Sequence, residues 1–371
     1  MTYDLVPPKE VFRRISRLQH ELVEPALNGA VILDGINIFY YSGTIQNGVL
    51  FIPADGDPVF FIRRSFDRAK RETPLKALVQ LKSFGEIPAR LQDYGYRAAR
   101  LGVGESTIPV SIFKKVSRAF SQTVFQDISL SLSMIRSVKS DYEIGLIREA
   151  GKRHKAVYDQ IPAMIQEGIT EWELGSAILA NMLKLGFTGI ARLAAFNSEI
   201  AAGVISFGDS GNYPSASVGP GGLVGLSPAF PLLGGERRLE KGDIIFIDTG
   251  FGYEGYFTDK PRLFALGPPP QAAIDAHKVC LDIQEAVRCR LKPAAVASQI
   301  FEEVYNTEVV SRNFEENFMG FGSNQVPFLG HGIGLVIDEF PAIARKINFP
   351  LKENMIIAVE PKKGLKGIGL V

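Results

Sequence analysis

Four side chains able to bind a cation stand at the edges of apolar runs. Asp248 closes Ile244-Ile245-Phe246-Ile247, which reads as a strand buried on both faces. An ionised Asp at such a core boundary is costly unless something pairs with it. After Thr249-Gly250 a second carboxylate, Asp259, ends Tyr256-Phe257-Thr258. A hairpin between the two runs would bring the carboxylates together, and no basic residue lies between them in the chain. That arrangement suits a divalent cation such as Mn, Co, Fe or Zn, with Mg also able to use it. The plainer alternative is a pair of turn or cap aspartates, because Asp-x-Gly is common in turns.

Two later stretches add candidates. In Leu329-Gly330-His331-Gly332-Ile333-Gly334 one imidazole is set among three glycines. Glycine allows close backbone approach, and imidazole is a common transition-metal ligand. Glu360 ends the apolar run Met355–Val359. Two Asp, one His and one Glu, each beside an apolar run, are hard to explain by packing alone.

These residues match a known pattern. Asp248–Asp259, DTGFGYEGYFTD, resembles the metal-binding hairpin of the pita-bread metallopeptidases, which include methionine aminopeptidase, Xaa-Pro aminopeptidase and prolidase, with creatinase as a metal-free relative. GHGIGLVIDEFP and IIAVEPKKG are similar to two further segments of that family, in the same order. The resemblance implies an α+β fold, with a pita-bread C-terminal domain following a creatinase-like α/β N-terminal domain. It implies two divalent metal ions, Mn or Co first and Zn or Fe next. Asp248, Asp259, His331 and Glu360 would be four of five protein ligands, Asp259 bridging the metals. The implied activity is that of an aminopeptidase or dipeptidase of Xaa-Pro type, acting on a small peptide through a metal-bridging hydroxide. A homodimer with the N-terminal domain as its interface is also implied.

Departures from the family pattern open other readings. Asp338 stands where a catalytic His is usual, although Glu339 and Pro341 are kept, and Ser227–Arg238 lacks the Pro-His segment. An ionised Asp cannot donate a hydrogen bond to a developing oxyanion as imidazole can. Asp338 and Glu339 are the candidate catalytic residues: Glu339 for proton handling, and Asp338 suiting a substrate with a cationic or hydrogen-bond-donating group, which makes a non-peptide C–N hydrolase or lyase the alternative. A non-catalytic binding module is the least favoured reading, since clustered buried carboxylates without a metal repel one another. Pro261 takes the place of a usual Thr beside Asp259. The fifth ligand, a Glu expected beyond Gly367-Ile368-Gly369, is not reached before Val371, and the ending in an apolar Leu-Val reads as truncation.

Other elements must position these groups. Over residues 1–135 the sequence predicts an α/β unit. A helix spans Val11–Leu22 and a buried strand Gly29–Leu33, with Ile36–Tyr41 as the next apolar segment. Strands at Gly48–Pro53 and Pro58–Ile62 flank an Asp-Gly turn signal. Residues 136–371 form the second domain. Ser140/Glu143 and Thr170/Glu173 are capping boxes that start two helices, the second ending at Gly186. Asp275–Leu291 and Ser298–Val310 read as two more. His20, His154 and His277 fall in helical stretches and read as surface residues.

Composition is that of a soluble globular chain: 371 residues, 46% hydrophobic and 22% charged. A formal net charge of +1 gives no attraction for nucleic acid or an anionic membrane. The sequence shows neither a leader pattern nor an apolar run of spanning length. Cys280 and Cys289 read as separate thiols in a reducing compartment, so the expected location is cytoplasmic.

Overall fold

The computed structural model describes residues 3–194, 198–215 and 219–371. The chain divides into two units, Met1–Arg136 and Ser137–Val371. In the first, short and almost wholly apolar strands make one sheet. These are β1 (Gly29–Ile32), β2 (Gly48–Pro53), β3 (Val59–Ile62), β4 (Ala77–Gln80), β5 (Arg100–Val103) and β6 (Val124–Asp127). Their order is β4-β3-β2-β1-β5-β6. The β1–β2 and β2–β3 pairs are antiparallel and the outer pairs parallel. Gly56, at φ +106°, turns the chain between β2 and β3. Ile36–Tyr41 lies within a helix, Gly35–Ser42, because the Asp34 side chain caps it by accepting from Asn37 N. Apolar content alone could not separate that helix from a strand. The first helix runs over Pro8–Val23, with Pro8 at its first position.

The second unit opens on the helix Asp141–Gln160. Its capping box is complete: Glu143 N donates to Ser140 Oγ at 3.2 Å and Ser140 N donates to Glu143 Oε2 at 2.8 Å. Thr170 and Glu173 do the same for Glu171–Lys184, which ends before Gly186 at φ +93°. After a short pair, β7 (Ala191–Arg192) and β8 (Glu199–Ile200), come β9 (Gly203–Phe207), β10 (Ile244–Tyr253) and β11 (Tyr256–Ala265). These three form an antiparallel sheet in the order β11-β10-β9. Glu254 and Gly255, both at positive φ (48° and 84°), join β10 to β11 in a two-residue turn of the primed kind that suits strand twist. A second sheet, β13-β12-β14, comprises β12 (Phe328–Gly332), β13 (Glu339–Ala344) and β14 (Ile357–Val359). A last pair, β15 (Gly364–Leu365) and β16 (Gly369–Leu370), lies near the end of the chain.

β10 is buried on both faces. Ile245, Ile247 and Phe251 pack with Ala150, Val157 and Leu174 from the two capped helices and with Ile161, just past the end of the first. Ile244 packs with Cys280, Ile283 and Val287 of the helix Gln271–Arg290, and with Ile300 and Phe301 of Ala297–Val304. Cys280 and Cys289 are free thiols, one buried and one exposed. Among the described residues, no helix is long and apolar enough to cross a membrane.

Candidate metal centre

Strand register fixes which side chains meet. Asp248 pairs with Pro261 across the hairpin and Gly250 with Asp259. Side chains alternate along a strand, so Asp248, Gly250 and Asp259 share one face, the two carboxylates diagonal to one another. Thr249, Phe251 and Thr258 face the other way. Gly250 leaves room: a Cβ there would fall 2.3 Å from the Ile337 side chain.

The second sheet supplies the other groups. His331 pairs with Ala358 of β14, and Glu360 follows that strand. The glycines beside His331 allow this approach, since a Cβ on Gly330 would lie 2.4 Å from Ala358 O and one on Gly332 2.5 Å from Phe340 O. Asp259, His331 and Glu360 each offer a ligand atom, all within 4.8 Å of one another. His331 Nε2 lies 3.0 Å from Glu360 Oε1 and 3.6 Å from Asp259 Oδ2.

Asp248 joins this group through a residue that the sequence reading passed over. Lys362 Nζ donates to Glu360 Oε2 at 2.6 Å and lies 2.8 Å from Asp248 Oδ2. Its side chain is 2% exposed. Burial pushes the Asp259 carboxyl well above the usual range, with Glu360 and Asp248 adding repulsion. Burial also raises Asp248, against the pull of Lys362. Glu360 goes the other way: burial works upward, but Lys362 and His331 hold it at about 2. Burial works to lower His331, yet its Glu360 and Asp259 neighbours lift it to about 9. Anions that cannot all be charged without a cation are what a metal site requires.

The family model described as metallopeptidase family M24 matches residues 145–371, and that of the creatinase/prolidase N-terminal domain matches 14–138. The chain belongs to metallopeptidase family M24. Among its M24 relatives, an Xaa-Pro dipeptidase of Pyrococcus furiosus is 26% identical over 350 residues, spanning 94% of this chain and 89% of the relative. The same fold is found in an X-Pro aminopeptidase from Thermotoga maritima, with a TM-score of 0.78 at 22% identity over 96% of this chain and 92% of that one. A prolidase from Pyrococcus furiosus aligns with a TM-score of 0.76 at 22% identity, over 95% and 94% of the two chains. These structures share a creatinase-type N-terminal domain and a pita-bread C-terminal domain with this M24 chain.

The other two candidates are placed differently from the metal-binding group. Asp338 accepts from Ala194 N at 2.5 Å, holding the segment after β7, and burial raises its carboxyl. Glu339 Oε2 receives Lys139 Nζ at 2.9 Å and its Oε1 receives Leu335 N at 3.1 Å. It thus ties the loop after His331 to the start of the unit.

His154 is fully buried, contrary to the surface position expected from its helix. Nδ1 lies 3.0 Å from Thr258 Oγ1 and Nε2 2.9 Å from Thr249 Oγ1, so the ring spans the hairpin on the face opposite Asp248 and Asp259. Tyr158, one turn on, adds a 3.0 Å bond to Thr249 Oγ1. The helical spacing could have revealed it: Ile147, Ala150, His154, Val157 and Ile161 make one buried stripe. Burial, helped by Lys260 and Arg262, lowers the His154 imidazole to about 3. The folded state therefore keeps it neutral while the unfolded chain takes up a proton below about 6.5. Stability from this source is complete above that pH and falls as pH drops toward 3. Between pH 7 and pH 5 the loss is about 2 kcal/mol. Urea melts of wild type and His154→Gln at both pH values check this, and equal acid sensitivity in the two proteins would refute it.

Proposed function

We propose that this chain is a metal-dependent exopeptidase that cleaves short peptides at an Xaa-Pro bond. The observation that carries the reading is the convergence of Asp259, His331 and Glu360 from two sheets on one point, within the M24 family. The donor set fits the group: two carboxylates and an imidazole suit Mn, Co, Zn or Fe, and we take Mn or Co as the physiological choice. Residues 1–135 would be the creatinase-like domain and 136–371 the catalytic one.

A divalent ion on these three side chains would supply a Lewis acid and, from water, a nucleophile at neutral pH. The chain's own residues do the rest. The paired threonines and His154 fix the hairpin from behind, so that Asp259 is held in one place. The Lys139–Glu339 pair fixes the loop that follows His331. The peptide carbonyl is bound without the imidazole donor usual at position 338; losing one such donor typically costs about a hundred- to a thousand-fold in rate. Slow turnover is therefore expected. A non-peptide substrate read by Asp338 gains no support from the geometry, because its carboxylate is engaged by the Ala194 amide. The relatives named above are peptidases.

The test is an assay on Xaa-Pro dipeptides and Xaa-Pro-Xaa tripeptides with Mn²⁺ or Co²⁺ added. Cleavage that a chelator abolishes and re-added metal restores is the expected result. If no Xaa-Pro peptide is cut with metal bound, the substrate assignment fails.

A further inference from the structure

We propose that Tyr158 is a positioning residue for the metal centre. Its hydroxyl sets the direction of a hydrogen-bond chain that locks His154 in the Nε2–H tautomer and grips the two strands carrying Asp248 and Asp259. This role rests on the metal-dependent reading above and adds how the aspartates are held.

The direction follows from the protons available. The Tyr158 hydroxyl reaches two backbone carbonyls, Lys260 O and, at 3.2 Å, Ile247 O. A carbonyl only accepts, so the single hydroxyl proton of Tyr158 is committed there. The 3.0 Å contact with Thr249 Oγ1 then runs the other way, Thr249 donating to the Tyr158 oxygen. Thr249 has no second proton, so His154 Nε2 donates in the 2.9 Å bond between them. A neutral imidazole carries one N–H. His154 Nδ1 is therefore an acceptor, and Thr258 Oγ1 donates to it at 3.0 Å. The other tautomer would turn the Thr249 proton to Nε2 and leave two oxygens 3.0 Å apart with no proton between them.

The same chain brackets both aspartates. His154 and Tyr158 lie one turn apart on the helix Asp141–Gln160, and both are buried. On β10 they hold Ile247 O and Thr249, the residues on either side of Asp248. On β11 they hold Thr258 and Lys260 O, the residues on either side of Asp259. The two carboxylates project from the opposite face of the hairpin. One face of one helix thus fixes the backbone beneath each carboxylate, and an ion that binds there does not have to order it.

The experiment uses Tyr158→Phe, which removes one oxygen and keeps the ring. Thr249 loses its acceptor and turns its proton to His154 Nε2, which moves the ring to the Nδ1–H tautomer. The tautomer is read by nitrogen NMR of metal-free protein carrying labelled histidine at neutral pH, with His154→Gln assigning the signal among the four histidines. Affinity for Mn²⁺ is read from the electron paramagnetic resonance signal of the free ion. Wild type is expected to show Nε2–H. Tyr158→Phe is expected to show Nδ1–H and to bind Mn²⁺ about tenfold more weakly. An Nδ1–H or doubly protonated ring in wild type overturns the proposal, and that reading needs no variant to fold. A folded Tyr158→Phe that keeps the wild-type affinity overturns the positioning role. If wild type binds no Mn²⁺, the metal-dependent reading falls and the positioning role with it. The tautomer, read without metal, distinguishes that failure from a wrong account of the chain.

Discussion

Asp259→Asn is expected to abolish peptide hydrolysis while leaving the fold as stable as wild type or more so. Asp259 contributes one of the three ligand atoms that lie within 4.8 Å of one another. An amide in its place removes a charge and takes a carboxylate ligand from the group around His331 and Glu360. Loss of the metal's Lewis acidity and of its effect on water should lower kcat/KM by on the order of a thousand-fold or more. The stability effect has the opposite sign. Burial, Glu360 and Asp248 all disfavour the charged carboxylate in the metal-free protein, raising its pKa well above the ordinary value. A neutral side chain of equal size relieves that repulsion, the pattern expected where an active site sacrifices stability for function. Peptidase assays with metal analysis test the first half, and thermal melts in chelator test the second. A variant that loses activity because it unfolds would refute the argument.

The positions of these two aspartates were legible because strand rules are short-range. An apolar run ending in Asp, a tip, and a second run ending in Asp give a hairpin, and period-two alternation then puts both carboxylates on one face. Glycines flanking His331 pointed to close backbone approach, and the approach found is to Ala358 O and Phe340 O. Both capping boxes formed as their sequences implied. What escaped the reading depended on tertiary placement. Paired lysines at 362 and 363 look like a solvated charge run, and only the environment shows that one is turned into the carboxylates. Even so, the two-residue offset from Glu360 was a usable sign. His154 escaped because a helical His is usually exposed, although its place in an apolar stripe argued otherwise. Asp338 and Glu339 stand out through the resemblance, one replacing a usual His and the other keeping the family's Glu. Their partners, a backbone amide at 194 and a lysine at 139, are distant in sequence and no local pattern announces them.

Lys139→Met is expected to destabilise the second unit strongly. The Lys139–Glu339 pair is closed at 2.9 Å with side chains 1% and 2% exposed. Truncating one member of a buried ion pair typically costs 3–5 kcal/mol, so a loss of about 4 kcal/mol is expected. The Leu335 N–H, which donates to Glu339 Oε1 at 3.1 Å, carries no charge to replace the ammonium. The pair itself adds much less, because the desolvation of two ions offsets most of their attraction. Lys139→Met combined with Glu339→Leu should therefore recover most of the lost stability. It should not recover catalysis, since Glu339 also holds the loop after His331 through Leu335 N, and Leu cannot accept that bond. Urea denaturation of the single and double variants measures the first effect, and peptidase assays of the refolded double variant measure the second. Equal stability of wild type and Lys139→Met would mean that the carboxylate finds water or another partner. A double variant with full activity would mean that the loop keeps its place without Glu339.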